Sequence, residues 1–252
     1  MTLLRDTWLV FQRSVLLTIR QPIWIILGLI QPILYLVLLG PLLEASTRAA
    51  GAGTNAFNWF IPGLVIQTAV FGSAFVGFGL IAELRYGVVE RMRVTPMSRF
   101  AMLLGRSLRD VVILEAQAAI MMLLGLPFGL TIDPAGAAIT LGLLAVIGLF
   151  IAPLSYTSGL ILRSEDALAP LVQGIALPVL LLSGILLPLA LAPDWLRFLS
   201  SLNPLTHAVD AARALFNGDW GNPEIAIVVG ITAVLAIAAV WVGGRTFSRA
   251  AA

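Results

Sequence analysis

The spacing of its charges constrains this chain more than any other feature. Charge-free stretches of 23 residues separate Arg20 from Glu44, 34 separate Arg48 from Glu83, and 17 separate Glu115 from Asp133. A further 29 lie between Asp133 and Arg163, 27 between Asp166 and Asp194, and 20 between Glu224 and Arg245. A helix needs about 20 apolar residues to cross the hydrocarbon of a bilayer. Five gaps reach that length, and the third does so when Glu115 stands near a headgroup layer. Only 11% of the residues are charged, against roughly 25% in a soluble domain, too few to cover a water-soluble surface. The expected fold is therefore an all-α polytopic membrane protein, one domain over residues 1–252, with spans near 21–40, 59–82, 111–130, 136–162, 167–187 and 225–242.

Missing residue types exclude several chemistries. With no cysteine there is no disulfide, thiolate metal site or cysteine nucleophile. His207 is the only histidine and all 15 basic residues are arginine. A Walker-type nucleotide site needs a lysine at the phosphates, and a Schiff base needs a lysine amine. We therefore assign this chain no catalytic residue, no metal and no bound cofactor. A net charge of +2 gives nucleic acid little to bind. The arginines are read instead through the positive-inside rule. With the N-terminus inside, twelve arginines fall on inner segments and three (Arg48, Arg197, Arg213) outside. Both termini are expected in the cytoplasm, in a multi-pass protein of the cell membrane.

Three segments fall outside the spans. In residues 1–20, Leu4, Trp8, Phe11, Val15 and Ile19 form one helical stripe, while Asp6, Arg13 and Arg20 lie on another face. This reads as an interfacial helix in contact with membrane lipid, not a signal peptide. Within the long inner segment 83–108, Leu84, Val88 and Met92 make a stripe that Pro96 ends, predicting a short cytoplasmic helix over 83–97. Residues 188–223 carry apolar residues at helical spacing broken at Asn203-Pro204, predicting an outer re-entrant helical hairpin. Inside the spans, Gln31 and Pro32 are a polar amide beside a helix breaker, which either satisfies a freed carbonyl or lines a path. Ala69, Ser73 and Gly77 form a small-residue stripe for close helix approach, next to an aromatic stripe of Phe71, Phe75 and Phe78. Glu115 is expected to anchor an interface beside an arginine, and His207 to hydrogen-bond the outer hairpin.

The ordered motifs resemble one family. Pro62-Gly63, then Glu83, Gly87 and Glu90, then Thr95-Pro96-Met97-Ser98-Arg99 are similar to the second helix and following loop of ABC-2 exporter permeases, especially the daunorubicin-resistance type. Ser183-Gly184, Asn203-Pro204-Leu205 and Arg213 resemble the same family's fifth helix and outer segment, and Gln31-Pro32 its first. Val88 departs from the threonine that many members carry there. The resemblance implies a homo- or heterodimer of six-helix subunits with two copies of a cytoplasmic ABC ATPase, which uses ATP and Mg. It makes 83–97 the coupling helix, with Glu83, Gly87, Glu90, Arg91, Thr95 and Pro96 as its contacts. It sets Gln31, Pro32, Gln67, Phe71, Phe75 and Ser183 as path candidates, and Asn203, Pro204, His207 and Arg213 in the hairpin. The expected cargo is a drug or lipid leaving the cytoplasm or inner leaflet. The alternatives are a polysaccharide or teichoic-acid exporter, whose cargo would call for more stacking tyrosines than the three present, and a membrane enzyme acting on lipid-linked substrates. A proton-coupled carrier would show midplane ionisable residues and repeated broken helices.

Overall fold

The computed structural model describes residues 3–49, 55–88, 98–186, 189 and 192–249. Glu90, Arg91, Thr95 and Pro96 lie outside the described residues, as does most of the 83–97 segment. What is described is helical, and six helices are long and apolar enough to cross a membrane.

Several helices begin at a capping side chain supplied by the sequence. Leu3–Arg20 (α1) is followed by Ile23–Ala49 (α2), which carries Pro32 and Pro41 internally. Asn55 accepts from the Phe57 amide to start Ala56–Ala74 (α3), which continues after a break at Phe75 as Val76–Arg85 (α4). Ser98 caps Arg99–Gly125 (α5), and Asp133 caps Pro134–Leu162 (α6) with proline at the first turn. Glu165–Leu182 (α7) opens on two acids, which suit a helix N-terminus. Asp194–Ser201 (α8) and Pro204–Phe216 (α9) form the hairpin, and Pro223–Arg249 (α10) closes the chain.

The core sits around α3. Phe60, Ile61, Leu64, Val65 and Ile66 are fully buried and cluster with Ala118 and Met121 of α5, Leu144 and Ile147 of α6, and Ala208, Val209 and Ala212 of α9. By contrast α2, α7 and α10 expose Leu34, Leu38, Ile175, Leu181, Val234 and Ile237, side chains suited to lipid or to another subunit.

Four expectations need correction. The third membrane helix starts at Arg99, so 99–110 is helix and not loop; its charges find partners in the protein, as described below. The helix bearing Glu83 ends at Arg85, and Gly87 takes φ +66°. Glu83 therefore closes the second span, and no single helix runs through 83–97. In α1 the stripe with Leu4, Trp8 and Ile19 does face outward, but Asp6 is buried beside Thr7 and Val10 against α5 and is no headgroup charge. Glu115 is half-buried and makes no ion pair among the described residues; the neighbouring arginines are held by other acids. The hairpin does break at Asn203-Pro204, as expected, and α9 packs into the main core.

Candidate functional site

At one end of the bundle, ion pairs and hydrogen bonds tie six helices together where α4 stops and α5 starts. The Arg106 guanidinium, with 7% of its side chain exposed, lies 2.5 Å from the Glu83 carboxylate. One turn further in, Arg109 Nη2 donates to the Tyr156 hydroxyl at 3.0 Å and stands 2.9 Å from Asp110 Oδ1. Tyr156 donates onward to Asp110 Oδ2 at 2.5 Å, and Arg109 Nη1 donates to Thr18 Oγ1 at 3.1 Å. Two cations and two anions are thus buried or half-buried as neutral pairs, the arrangement that lets charge survive out of water. Around them, Arg85 pairs with Glu165 at 3.3 Å, Arg99 donates to the Ser248 carbonyl at 3.1 Å, and the Ser98 amide donates to Asp6 at 3.3 Å. Asp6 of α1 and Ser248 of α10 therefore both lie beside the start of α5.

Nothing here is arranged as nucleophile and base. The arrangement can carry force: a pull on 88–97 reaches α4 through Gly87 and α5 through Ser98, and passes on to α1, α6, α7 and α10. Arg106, Arg109, Asp110 and Tyr156 were not singled out from the sequence, because the charges of 99–110 read as solvated loop. Their signal is periodic: Leu103, Arg106, Asp110, Leu114, Gln117 and Met121 recur at helical spacing, and all are buried.

The path candidates do not gather in one place. Gln31 is exposed on α2 and donates to its own helix's Tyr35 hydroxyl at 3.0 Å, leaving the carbonyl freed by Pro32 to others. Pro32 is buried. Gln67 is 1% exposed, and neither amide atom has a hydrogen-bond partner. Phe71 and Phe75 stack with centroids 6.1 Å apart, Phe75 and Phe78 stand 5.7 Å apart, and the last two pack on Leu168 and Val172 of α7. Ser183 is fully buried and donates to the Leu180 carbonyl at 2.6 Å.

The outer hairpin closes the end of α7, whose last carbonyls have no helical partners. Asn203 caps α9 through its oxygen and donates through Nδ2 to the Val179 carbonyl at 2.8 Å. Pro204 takes the first helical position. Ser200 and Thr206, neither evident from sequence, donate to the Leu182 carbonyl at 2.6 and 3.0 Å. Arg213 donates to Trp59 O at 3.0 Å, Gly184 O at 2.8 Å and Asp210 at 3.0 Å, and its guanidinium lies 4.1 Å from the Trp59 ring centroid. It locks α9 to the start of α3 and the end of α7. His207 joins the hairpin to α10, with Nδ1 2.6 Å from Glu224 Oε2 and Nε2 3.0 Å from Ser201 O. Both neighbours are acceptors, so only the imidazolium donates to both. Burial alone lowers its pKa, but the Glu224 hydrogen bond, the Ser201 carbonyl and the charges of Glu224 and Asp210 leave it raised.

Comparison with known proteins adds to this geometry. The family model described as "ABC-2 type transporter" matches residues 5–217. The ycf38 protein of Cyanophora paradoxa, named as a transport permease, is 32% identical over 79% of this chain and 69% of its own length. The daunorubicin resistance ABC transporter permease DrrB1 of Streptomyces coeruleorubidus is 24% identical over 85% of this chain and 76% of its own. DrrC of Mycobacterium tuberculosis, named as a doxorubicin resistance ABC transporter permease, is 25% identical over 88% and 80%.

Proposed function

We propose that this chain, which belongs to the ABC-2 type transporter family, exports a hydrophobic or amphiphilic molecule, using a separate ATPase. As a member of that family it is a multi-pass permease subunit of an ABC transporter. The finer reading is that two permease subunits and two ATPases assemble in the cell membrane with both termini in the cytoplasm. ATP and Mg would then belong to the partner alone, and the absence of lysine supports that division of labour. The named relatives that resist daunorubicin and doxorubicin support a flat amphiphile as cargo.

The observation that carries this reading is the set of charge pairs joining the two ends of 88–97 to five helices. The ATPase would grip that segment through Gly87, Glu90, Arg91, Thr95 and Pro96, and its closure would be felt at Glu83 and Ser98. Gln67 supports a path along α3, since each buried unpaired amide group costs about 1–3 kcal/mol that a cargo or water would recover. The Phe71, Phe75 and Phe78 ladder offers that cargo ring faces. A second subunit would cover the apolar face of α2 around Gln31 and Tyr35.

The test is to co-express the chain with an ABC ATPase from the same genome and follow ATP-dependent uptake of a fluorescent anthracycline into inverted vesicles. Uptake by the pair, with neither uptake nor ATP hydrolysis by the purified permease alone, is the expected outcome. ATP hydrolysis by this polypeptide alone would refute the division of labour, and ATP-driven loss from preloaded inverted vesicles would refute export.

A further inference from the structure

We infer that Ser155 is a positioning residue for transport: its hydroxyl pins a hinge at Phe75, on which α4 turns relative to α3. The inference rests on the reading that an ATPase holds 88–97.

In an unbroken helix the Gly77 amide would bond to the Ser73 carbonyl and the Phe78 amide to the Ala74 carbonyl. Here Phe78 N–H turns to the Phe75 carbonyl at 3.2 Å, one residue short of the regular step. The Ala74 carbonyl accepts instead from the Ser155 hydroxyl at 2.6 Å, and the Gly77 amide donates to that same hydroxyl at 2.9 Å. One side chain of α6 replaces both missing contacts, and an inserted side chain is a recognised cause of a helix break. Ser155 is buried, so water does not substitute for it.

The crossing is close at two glycines. A Cβ on Gly77 would come within 2.4 Å of the Ser155 carbonyl oxygen, and one on Gly159 within 2.8 Å of the Gly77 carbonyl. The two helices therefore meet backbone to backbone at Gly77. Two residues before the break, the Ser73 hydroxyl is fully buried without a partner, a polar atom left over in this arrangement of the helix.

The two arms carry different loads. The inner arm, α4, bears Glu83 and Arg85, whose ion pairs join α5 and α7, and it ends at Arg85, two residues before the turn at Gly87. The outer arm carries Gln67 and Phe71, and the aromatic ladder runs across the break through Phe75 to Phe78. Turning the inner arm at Phe75 re-aims the ladder against Leu168 and Val172. The fixed post is α6, where the neighbouring Tyr156 is held by Arg109 and Asp110.

The chain has no cysteine, so labels can be introduced directly. Spin labels at Tyr86→Cys and Ser248→Cys measure the inner arm, and Leu162→Cys with Ser248→Cys provides a control without it. In nanodiscs with the co-purified ATPase, a non-hydrolysable ATP analogue is expected to shift the first distance and leave the second. Ser155→Ala should broaden the first distribution without nucleotide and raise the ATP consumed per anthracycline moved at least threefold. Ser155→Thr, which keeps the hydroxyl, should stay near the wild type. A packing role predicts the reverse order, with alanine mild and threonine, which adds a methyl at the crossing, severe; that order overturns the proposal. So does an inner-arm distance that ignores nucleotide while transport runs, a measurement needing no Ser155 variant. If no ATPase co-purifies, the functional reading fails, and the Ser155→Ala distribution in the permease alone still decides the hinge.

Discussion

Asp110 sits with 4% of its surface exposed, one residue from the arginine that neutralises it and within 2.5 Å of the Tyr156 hydroxyl. Removing one partner of a buried ion pair strands the other, which typically costs about 3–5 kcal/mol. Asp110→Ala is therefore expected to destabilise the protein by about that much, and Tyr156→Phe by about 1–3 kcal/mol. Unfolding of the purified variants in detergent measures both, and a double-mutant cycle should show strong coupling between them; simple additivity would mean the network is not one unit. His207 makes the opposite kind of residue argument. Its pKa is raised in the folded protein, so its stabilising contribution is complete below the unfolded value of about 6.5 and fades as pH rises through the folded value. The melting temperature should fall as pH rises above the unfolded value, and His207→Gln should flatten that slope. An unchanged slope would place the titration elsewhere.

At the scale of elements, helix ends carry the argument. Gly87 adopts φ +66°, which costs a residue with a Cβ about 1–2 kcal/mol and which proline, locked near −65°, cannot reach. Gly87→Ala is expected to weaken retention of the ATPase mildly, and Gly87→Pro to abolish it with normal membrane insertion. Both are read by co-purification, and full retention by Gly87→Pro would separate this turn from docking. The 83–97 stripe was legible in the sequence while its interruption was not, because Leu84, Val88 and Met92 keep helical spacing whether or not the intervening glycine changes hand. The hairpin was legible for a firmer reason: Asn203 followed by Pro204 is both a cap and a first-turn proline, so the local chemistry alone starts a helix there.

For the molecule as a whole, the packing is uneven. The second span is the core, while α2, α7 and α10 leave large apolar side chains outward, the distribution expected of a subunit completed by lipid and a second copy. Asp6 and Ser248 both meet the Arg99 end of α5, and in the proposed topology the arginine excess would put that end in the cytoplasm. Single cysteines at Asn217 and Ser248, both exposed, test this in intact cells with an impermeant thiol reagent. Asn217→Cys should label and Ser248→Cys should not; the reverse would invert the topology.

The family came from the ordered motifs around Pro62-Gly63, Ser183-Gly184 and Asn203-Pro204-Leu205, while the charge gaps alone were enough for the six helical spans. The spans follow from solvation: apolar runs of this length have one low-energy environment, and unpaired charges stay out of it. Where the solvation rule has exceptions, only tertiary structure decided. Arg106, Arg109 and Asp110 lie inside the protein because Glu83 and Tyr156 come from other helices to meet them. Likewise the break at Phe75 is set by a serine 80 residues further along the chain, and α9 is core because the carbonyls of α7 need its side chains. Local sequence records what a residue prefers to be near, and a partner brought by another helix can satisfy that preference where water or lipid otherwise would.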